Sequence, residues 1–353
     1  MRIKKLFALV ILLSLPIAHS KSANLSVTPR LDVNYKPELH TDEGGFWYKV
    51  EQLEFETQRS PHRVTDPLIN DYLSQLVCNL AGEYCSSIRV YLIDNPHFNA
   101  SVYPNGMMHV HTGLLLRLDN EAQLAAILGH EIGHFLMTHQ LMRYRSARDS
   151  SALATFIDIG LAGLTGVYGL ATLGMASANM SFSREHEYEA DLIGIELMAN
   201  IGYSPQEAAR VWEQVKLERE ADKSKEASSV FWSTHPPSKS RAKKLSEAAV
   251  KLVEQFPNAE ILNQERYINQ IKMIYADSMA NHINLQEYEQ TELLIAKHKS
   301  LGFPVGLTHF FAGELHRMRA QEGDAQKAID FYLRAAESES TPQRLLNIWV
   351  TCI

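Results

Sequence analysis

The sequence predicts a mostly helical α+β protein, with a small sheet in its first third and an all-helical tail. Two segments are typical of strands: Ile88–Ile93 (IRVYLI) is rich in β-branched and aromatic residues, and Met107–His111 (MMHVH) alternates. Most of the remaining chain repeats apolar residues at helical spacing. The 353 residues suffice for two ordinary domains or one large one.

Composition and charge exclude several classes of protein. Apolar residues make up 45% and charged residues 21% of the chain, which is typical of a globular protein. The formal net charge is −7 and the sequence contains no Lys/Arg-rich run, so nucleic acid is not an expected partner. Three cysteines are too few for a disulfide scaffold.

The first 20 residues are typical of a secretory signal peptide. A basic start (MRIKK) precedes an apolar run (LFALVILLSLPIA), and Ala18 and Ser20 are placed as the small residues of a cleavage site. The run is too short to span a bilayer comfortably, and an N-terminal membrane anchor is the alternative. Export would bring the chain into an oxidising compartment, so we expect a disulfide between Cys78 and Cys85 rather than two separate thiols.

Apolar spacing predicts the main helices. One covers 66–81, with Asp66 as its cap and Pro67 at its first position. The next starts near Asp119 and continues through EAQLAAILGHEIGHFLMTH, whereas residues 21–60 are mixed, polar and without a clear period. Further helices are predicted at 183–200, 204–227 and 238–256, and along most of the tail.

Residues 152–178 form a long apolar stretch that contains five glycines. Its length would suffice to cross a bilayer, but Asp158 lies inside it, and a charge within hydrocarbon is costly. A buried or interfacial helical hairpin is therefore favoured over a transmembrane span. Either structure makes this stretch a candidate membrane-facing surface.

The pentapeptide HEIGH at residues 130–134 indicates a metal site. On a helix, positions i and i+4 lie on one face, so the imidazoles of His130 and His134 can bind one metal ion. Neutral imidazoles suit Zn²⁺, which makes a bound water more acidic. Glu131 is then placed to take a proton during attack on a peptide carbonyl and to pass it to the leaving amine. Two surface histidines on a helix are the alternative.

A third protein ligand has to come from elsewhere in the chain. Gln140 stands where an H-E-x-x-H-x-x-G-x-x-H enzyme would have its third histidine, which excludes that subclass. The segment SREHEYEADLIG offers four acids on one predicted helix, and the residues alone do not choose among Glu185, Glu187, Glu189 and Asp191. Glu187 and Asp191 share a face at i, i+4, so one could bind metal and the other could orient a ligand histidine.

The order of these motifs resembles a known family. H-E-x-x-H, then S-R-x-x-E-x-x-A-D-x-x-G, then T-H-P-x-x-x-x-R is similar to the zinc metallopeptidases of family M48, the HtpX and CAAX prenyl protease relatives. The resemblance covers about 65–250 and implies a helix-rich zincin-like fold with a small sheet and one Zn²⁺ per chain. It implies that Glu187 is the third zinc ligand and Asp191 the partner of a ligand histidine, with Arg184 and Arg241 as structural support.

Other histidines have alternative roles. His235 can donate a hydrogen bond to the oxyanion formed at the attacked carbonyl, or bind the metal as a fourth ligand, displace water and leave a latent enzyme. A turn histidine without function is the alternative. His139 is expected on the helix of His134 as a packing or capping group, and His109 and His111 are expected at the surface.

The Met107–His111 strand is expected at a sheet edge beside the metal-binding helix. Proteases commonly hold the substrate as an added β-strand, and such an edge would serve. Proline at Val110 is therefore expected to cripple cleavage without unfolding the domain.

The tail contains a segment that resembles the second helix of a tetratricopeptide repeat, Gly323–Ala335, with small residues at Ala328 and Ala335 and Tyr332 between them. A generic amphipathic tail is the alternative. The signal, the absence of a cysteine near Ser20 for lipid modification and this tail resemble the periplasmic BepA-like branch of the family. The predicted divisions are a signal peptide (1–20), an N-terminal extension (21–60), a zinc metalloprotease domain (61–255) and a helical tetratricopeptide-like tail (256–353).

We therefore expect a periplasmic zinc endopeptidase that hydrolyses misfolded or stalled envelope proteins, a role implied by the resemblance alone. A chaperone or assembly module is the alternative, docking on the outer-membrane assembly machinery through its tail, with gated or secondary proteolysis. A third reading, an integral membrane protease, depends on residues 152–178 spanning a bilayer. Peripheral membrane contact through that stretch is expected otherwise.

Overall fold

The computed structural model describes residues 25–147, 182–221, 231, 234–235 and 239–338. Its strands are Arg89–Ile93 (β1), Ala100–Val102 (β2) and Met107–His111 (β3). The helices are Asp42–Arg59 (α1), Pro67–Ala81 (α2), Thr112–Leu115 (α3), Glu121–Leu136 (α4), His139–Ala147 (α5), Arg184–Asn200 (α6), Gln206–Ala221 (α7), Lys239–Gln255 (α8), Gln264–Ile271 (α9), Tyr275–Ile283 (α10), Tyr288–Leu301 (α11), Val305–Arg319 (α12) and Asp324–Ala336 (α13). The predicted class, a mostly helical α+β fold with a small sheet and a helical tail, is confirmed.

The three strands form one sheet in the order β1-β3-β2. β3 is the central strand, because it pairs parallel with β1 and antiparallel with β2. The prediction that Met107–His111 lies at an edge is therefore wrong. The edge strands are β1 and β2, and the Val102 N–H of β2 reaches Glu131 of the HEIGH helix α4 at 3.1 Å.

Both faces of β3 are covered. Met108 points into the main hydrophobic core, and Met107 on the other face joins a smaller core with Phe46 of α1. His109 and His111 share the face of Met107 and are each 1% exposed, so the expectation that they lie at the surface is wrong. An alternating strand exposes its polar face only when no other element packs against it.

Helix α1 occupies the segment in which the sequence shows no clear period. Its first turn is capped by Thr41, whose hydroxyl accepts a hydrogen bond from the Gly44 N–H at 3.0 Å. Val50 is buried, but the opposite face exposes Tyr48 and Phe55. Apolar residues on both faces blur the pattern that marks an amphipathic helix.

Helix α2 begins and ends as the sequence predicts. Asp66 caps the helix: its carboxylate accepts hydrogen bonds from the N–H groups of Leu68 and Ile69, at 2.9 and 3.4 Å. Pro67 occupies the first helical position. At its other end Cys78 is joined to Cys85 by a disulfide, which confirms the predicted pairing. The bridge closes the short 3-10 turn Gly82–Ser87 against the helix.

The tail is helical and is tied to the part of the chain that carries the HEIGH motif. Tyr267 donates a hydrogen bond to the Leu115 carbonyl, and the His298 ring reaches the Leu116 carbonyl at 2.7 Å. In the last helical pair, α12 and α13, the Tyr332 ring lies against Gly313, where an added Cβ would be only 2.6 Å from the ring. The tetratricopeptide character of this pair stays a prediction.

Several predicted features lie outside the described residues. They are the signal peptide at 1–20 and the apolar stretch at 152–178, and the third cysteine, Cys352, also lies outside those residues. In the part of the chain that the structure describes, no helix has both the length and the apolar character needed to span a membrane.

Candidate metal centre

Helix α4 positions the HEIGH motif. Asn120 caps the helix by accepting a hydrogen bond from the Gln123 N–H at 2.9 Å, and every residue from Glu121 to Leu136 is buried. Because they are four residues apart on this helix, His130 and His134 lie on one face, with their Nε2 atoms 3.1 Å apart. The predicted i, i+4 pairing of the two imidazoles is present in the structure.

Helix α6 brings an acid to this pair because α4 and α6 cross at glycines. A Cβ at Gly133 would lie 2.8 Å from the Ala190 carbonyl oxygen, and one at Gly194 would lie 2.7 Å from the His130 nitrogen. No larger side chain fits at either glycine without a shift of backbone. The spacing of four residues between Gly129 and Gly133, and between Ala190 and Gly194, is a sequence signal for this crossing that the sequence analysis missed.

Four side chains converge on one point. Ligand-type atoms of His130, His134, Glu187 and His235 all lie within 4.8 Å of one another, and all four residues are buried. His134 Nε2 is 3.3 Å from Glu187 Oε1. His235 Nδ1 is 2.8 Å from the same oxygen and 3.2 Å from His130 Nε2.

These spacings fit a zinc ion. Zn–N and Zn–O bonds of about 2.0–2.1 Å in a tetrahedral site place neighbouring ligand atoms roughly 3.3 Å apart. The donor set, three imidazoles and one carboxylate, also suits zinc. Of the four acids that the sequence left open, the structure brings Glu187 into the cluster.

Glu131 lies beside this cluster. Its Oε2 accepts a hydrogen bond from the Val102 N–H at 3.1 Å, and its Oε1 is 3.5 Å from His235 Nε2. Oε1 has no hydrogen-bond partner among the described residues. Burial raises the pKa of the Glu131 carboxyl, although the neighbouring His235 and His130 oppose that shift.

Asp191 and Arg241 support the cluster from the side of α6. Asp191 Oδ1 lies 2.9 Å from His130 Nδ1. Arg241 donates to Asp191 from Nε (2.6 Å) and Nη2 (2.8 Å), and its Nη1 contacts Glu187 Oε2. Burial alone would raise the pKa of Glu187, but His235 and Arg241 outweigh it and hold that pKa well below its usual range.

His134 is supported differently. Its Nδ1 lies 2.9 Å from His139 Nδ1, and His139 Nε2 lies 2.9 Å from Glu189 Oε2. Arg30 from the N-terminal segment completes the chain of contacts, 3.0 Å from Glu189 Oε1. The expectation that His139 lies on the helix of His134 is wrong. His139 begins α5, because α4 ends at Leu136 and Thr138 adopts a positive φ of 53°.

The remaining predicted residues lie away from the cluster. Glu185 and Arg184 are exposed in the first turn of α6. Two residues that the sequence analysis did not link to the site contact it or its edge. They are Val102, whose N–H reaches Glu131, and Gln140, whose side chain reaches the Val102 carbonyl.

This fold and site define a class of protein: a helix-rich metallopeptidase in which an H-E-x-x-H helix and an acid from a second helix surround one metal position. A model of peptidase family M48 matches residues 67–249, just over half of the chain. The chain belongs to that family. Members of this family are metallopeptidases whose cofactor is zinc, and the four clustered side chains could hold that ion.

Curated relatives carry matching names. The chain is 31% identical over 176 residues to the beta-barrel assembly-enhancing protease of Escherichia coli K12, covering 45% of this chain and 34% of that protein. The Yersinia pestis protein of the same name is 28% identical over 230 residues, covering 60% and 44%. The mitochondrial metalloendopeptidase OMA1 of Arabidopsis thaliana is 32% identical over 165 residues, covering 46% and 32%. The chain thus spans less than half the length of each of these relatives.

Proposed function

We propose that His130, His134 and Glu187 hold the zinc ion and that Glu131 is the general base and acid of an endopeptidase. The observation that supports this most is the convergence of three ligand-type atoms from two helices, with His134 Nε2 3.1 Å from His130 Nε2 and 3.3 Å from Glu187 Oε1. Asp191 is proposed to orient His130 through its 2.9 Å contact with Nδ1.

The chemistry divides between the metal and the protein. Zinc bound here would supply a Lewis acid that polarises the scissile carbonyl and makes a water molecule more acidic. Glu131 then takes the proton of the attacking water and delivers it to the leaving amine nitrogen. Burial suits this role, because a carboxylate with a raised pKa holds the proton more firmly between the two steps.

His235 is proposed to act on the metal position and not as a remote turn residue. Its Nδ1 lies among the other three ligand-type atoms, which supports the fourth-ligand role and a latent resting enzyme. Donation to an oxyanion would require the ring to leave that position, with Nε2 as the donor. The first role blocks the metal position and the second contacts the reacting carbonyl, so turnover of the His235→Ala variant distinguishes them.

The substrates are proposed to be misfolded or stalled proteins of the cell envelope, cleaved in the periplasm. The signal-like first 20 residues support export, and the names of the two bacterial relatives support a link to the assembly of outer-membrane β-barrels. We propose the division into a metalloprotease domain (61–255) and a helical tail (256–353), with the tail and residues 152–178 as candidate contacts to assembly machinery and membrane.

The test of the activity is zinc analysis and casein cleavage by wild type and Glu131→Gln. We expect zinc in both proteins and cleavage only by the wild type, because the amide retains the shape of the carboxylate but cannot accept the proton. Glu185→Gln, on the exposed first turn of α6, is the matched control and should cleave normally. Full activity of Glu131→Gln would refute the assignment.

A further inference from the structure

The outer edge of β2 presents the backbone groups of alternate residues. The Tyr103 N–H donates to the Met107 carbonyl at 2.7 Å, and the His111 N–H donates to the Asn99 carbonyl at 3.0 Å. Residues 99 and 103 therefore face β3. Because successive residues of a strand face opposite sides, Val102 directs its N–H and carbonyl away from the sheet.

Both outward groups of Val102 are already bonded. Its N–H donates to Glu131 Oε2 at 3.1 Å, and its carbonyl accepts a hydrogen bond from the Gln140 side chain. Val102 itself is 0% exposed. A substrate added as a β-strand to this edge needs the same two groups, so it cannot pair with Val102 while both bonds persist.

Gln140 is well suited to stand in for a substrate. A carbonyl only accepts hydrogen bonds, so the atom that Gln140 offers to Val102 is its amide nitrogen, which has the geometry of a peptide N–H. The amide oxygen is buried and has no hydrogen-bond partner among the described residues. Leaving that oxygen buried and unpaired is unfavourable, and this cost offsets part of the stabilisation from the bond between the Gln140 amide nitrogen and Val102. A competing donor can therefore replace Gln140.

We propose that Gln140 occupies the place of a substrate backbone N–H on the edge strand and that productive binding displaces it. The inference rests on the proposed function and deepens it by naming a substrate class: extended segments with a free N–H opposite the Val102 carbonyl. The same pairing gives the Val102 N–H a substrate carbonyl and releases Glu131 Oε2 for its proton transfer. Segments whose backbone N–H and carbonyl groups are already paired within a folded structure cannot supply this pair of groups.

Replacement of Gln140 tests the proposal. In Gln140→Leu, which lacks the donor, we expect the KM for an unstructured casein-derived peptide to fall about two- to tenfold, the range of one net hydrogen bond, with kcat within twofold of wild type. Gln140→Ser is a second variant with the same expectation, and thermal unfolding reports whether each is folded. Gln52→Leu, on the exposed face of α1, is the matched control and should not change KM.

Peptides with single N-methyl groups add a readout that a structural role would not give. An N-methyl group at one peptide position should abolish the decrease in KM seen in Gln140→Leu, because that peptide lacks the N–H that bonds to the Val102 carbonyl. An unchanged or raised KM in the folded variants would overturn the proposal.

Binding separates this proposal from the proposed activity. The affinity of the same peptide is measured by anisotropy in the Glu131→Gln background, with and without Gln140→Leu, and tighter binding without Gln140 is expected. If the wild type cleaves nothing, the activity assignment fails while this comparison still holds. A structure of Glu131→Gln with bound peptide in which Gln140 keeps its bond to Val102 would also overturn the proposal, whether or not the leucine variant folds.

Discussion

His235 Nδ1 lies 2.8 Å from Glu187 Oε1, although 48 positions separate the two residues in the chain. The other ring nitrogen, Nε2, is 3.5 Å from Glu131 Oε1. The imidazole therefore fills the space between the acid of the metal cluster and the proposed base. A catalytic zinc site needs that space for water and substrate.

The first prediction concerns this imidazole. In His235→Ala the fourth position becomes open to water, so we expect turnover of a casein-derived peptide to rise several-fold while bound zinc stays at one per chain. His40→Ala, a change at an exposed histidine, is the control and should leave turnover unchanged. Loss of turnover with zinc retained would instead assign His235 to the oxyanion.

The second prediction concerns the support of His134. If Nε2 of His134 binds zinc, its Nδ1–H donates to His139 Nδ1, and His139 in turn donates from Nε2 to Glu189. Loss of such a supporting contact typically weakens metal binding by about 10–100-fold, and we expect this for His139→Phe in competition with a zinc chelator. His186→Phe is the control and should keep the zinc affinity of the wild type, since His186 only stacks on His139, with ring centroids 4.3 Å apart. Equal zinc affinity in His139→Phe and wild type would contradict the prediction.

The third prediction concerns the buried cation. Arg241 bonds to Asp191 and Glu187, so Arg241→Leu leaves two buried carboxylates without their charge partner. Such a loss costs about 3 kcal/mol of stability. Denaturant unfolding should show that decrease, while Arg184→Leu at the exposed start of α6 should change the free energy of unfolding by less than about 0.5 kcal/mol.

The sequence predicted most of the helices and strands whose own residues show a capping, turn or periodic pattern. Helix α2 has a capping aspartate and a proline at its first position, and α4 has an uninterrupted apolar run. The position of β3 within the sheet could not be predicted, because strand order depends on what packs against each face. Helix α1 was missed since it buries one face against the sheet yet exposes Tyr48 and Phe55 on the other.

The site was predictable to the extent that its residues lie in one motif. His130, Glu131 and His134 follow from helical spacing alone. Glu187 was one of four neighbouring acids, and only the resemblance to the family separated it from the others. Contacts of Gln140 and Val102 depend on how the chain turns after α4 and on the sheet edge, and no local pattern encodes either.

The fourth prediction uses proline to distinguish the strands, in place of the sequence-based expectation for Val110. The N–H of Val110 lies in the central strand and faces a neighbour, so Val110→Pro removes a bond of the sheet and should unfold the domain. The Val102 N–H points outward, so Val102→Pro should stay folded in thermal unfolding and lose about tenfold in kcat/KM. Full activity of Val102→Pro would show that substrate does not pair with this edge.

Several buried histidines lie away from the metal position and are held neutral. His298 in the tail is 0% exposed. Its Nε2 lies 2.7 Å from the Leu116 carbonyl oxygen, and its Nδ1 lies 3.1 Å from the Tyr275 hydroxyl. Burial lowers the pKa of His298 to about 3, and the nearby Lys297 and Arg117 act in the same direction. The unfolded chain has an ordinary histidine pKa of about 6.5 at this position.

The fifth prediction follows from this difference in pKa. Below pH ~6.5 the unfolded state binds a proton at His298, whereas the folded state binds one only as the pH approaches ~3. The stability that the neutral His298 contributes is therefore complete above pH ~6.5 and falls as the pH drops from ~6.5 towards ~3. From pH 7 to 5 this one group removes about 2 kcal/mol from the free energy of unfolding. We expect His298→Gln, measured by urea unfolding at both pH values, to lose about 2 kcal/mol less over the interval than wild type. His40→Gln, at an exposed position, should lose as much as wild type. Parallel curves for His298→Gln and wild type would show that His298 does not carry this dependence.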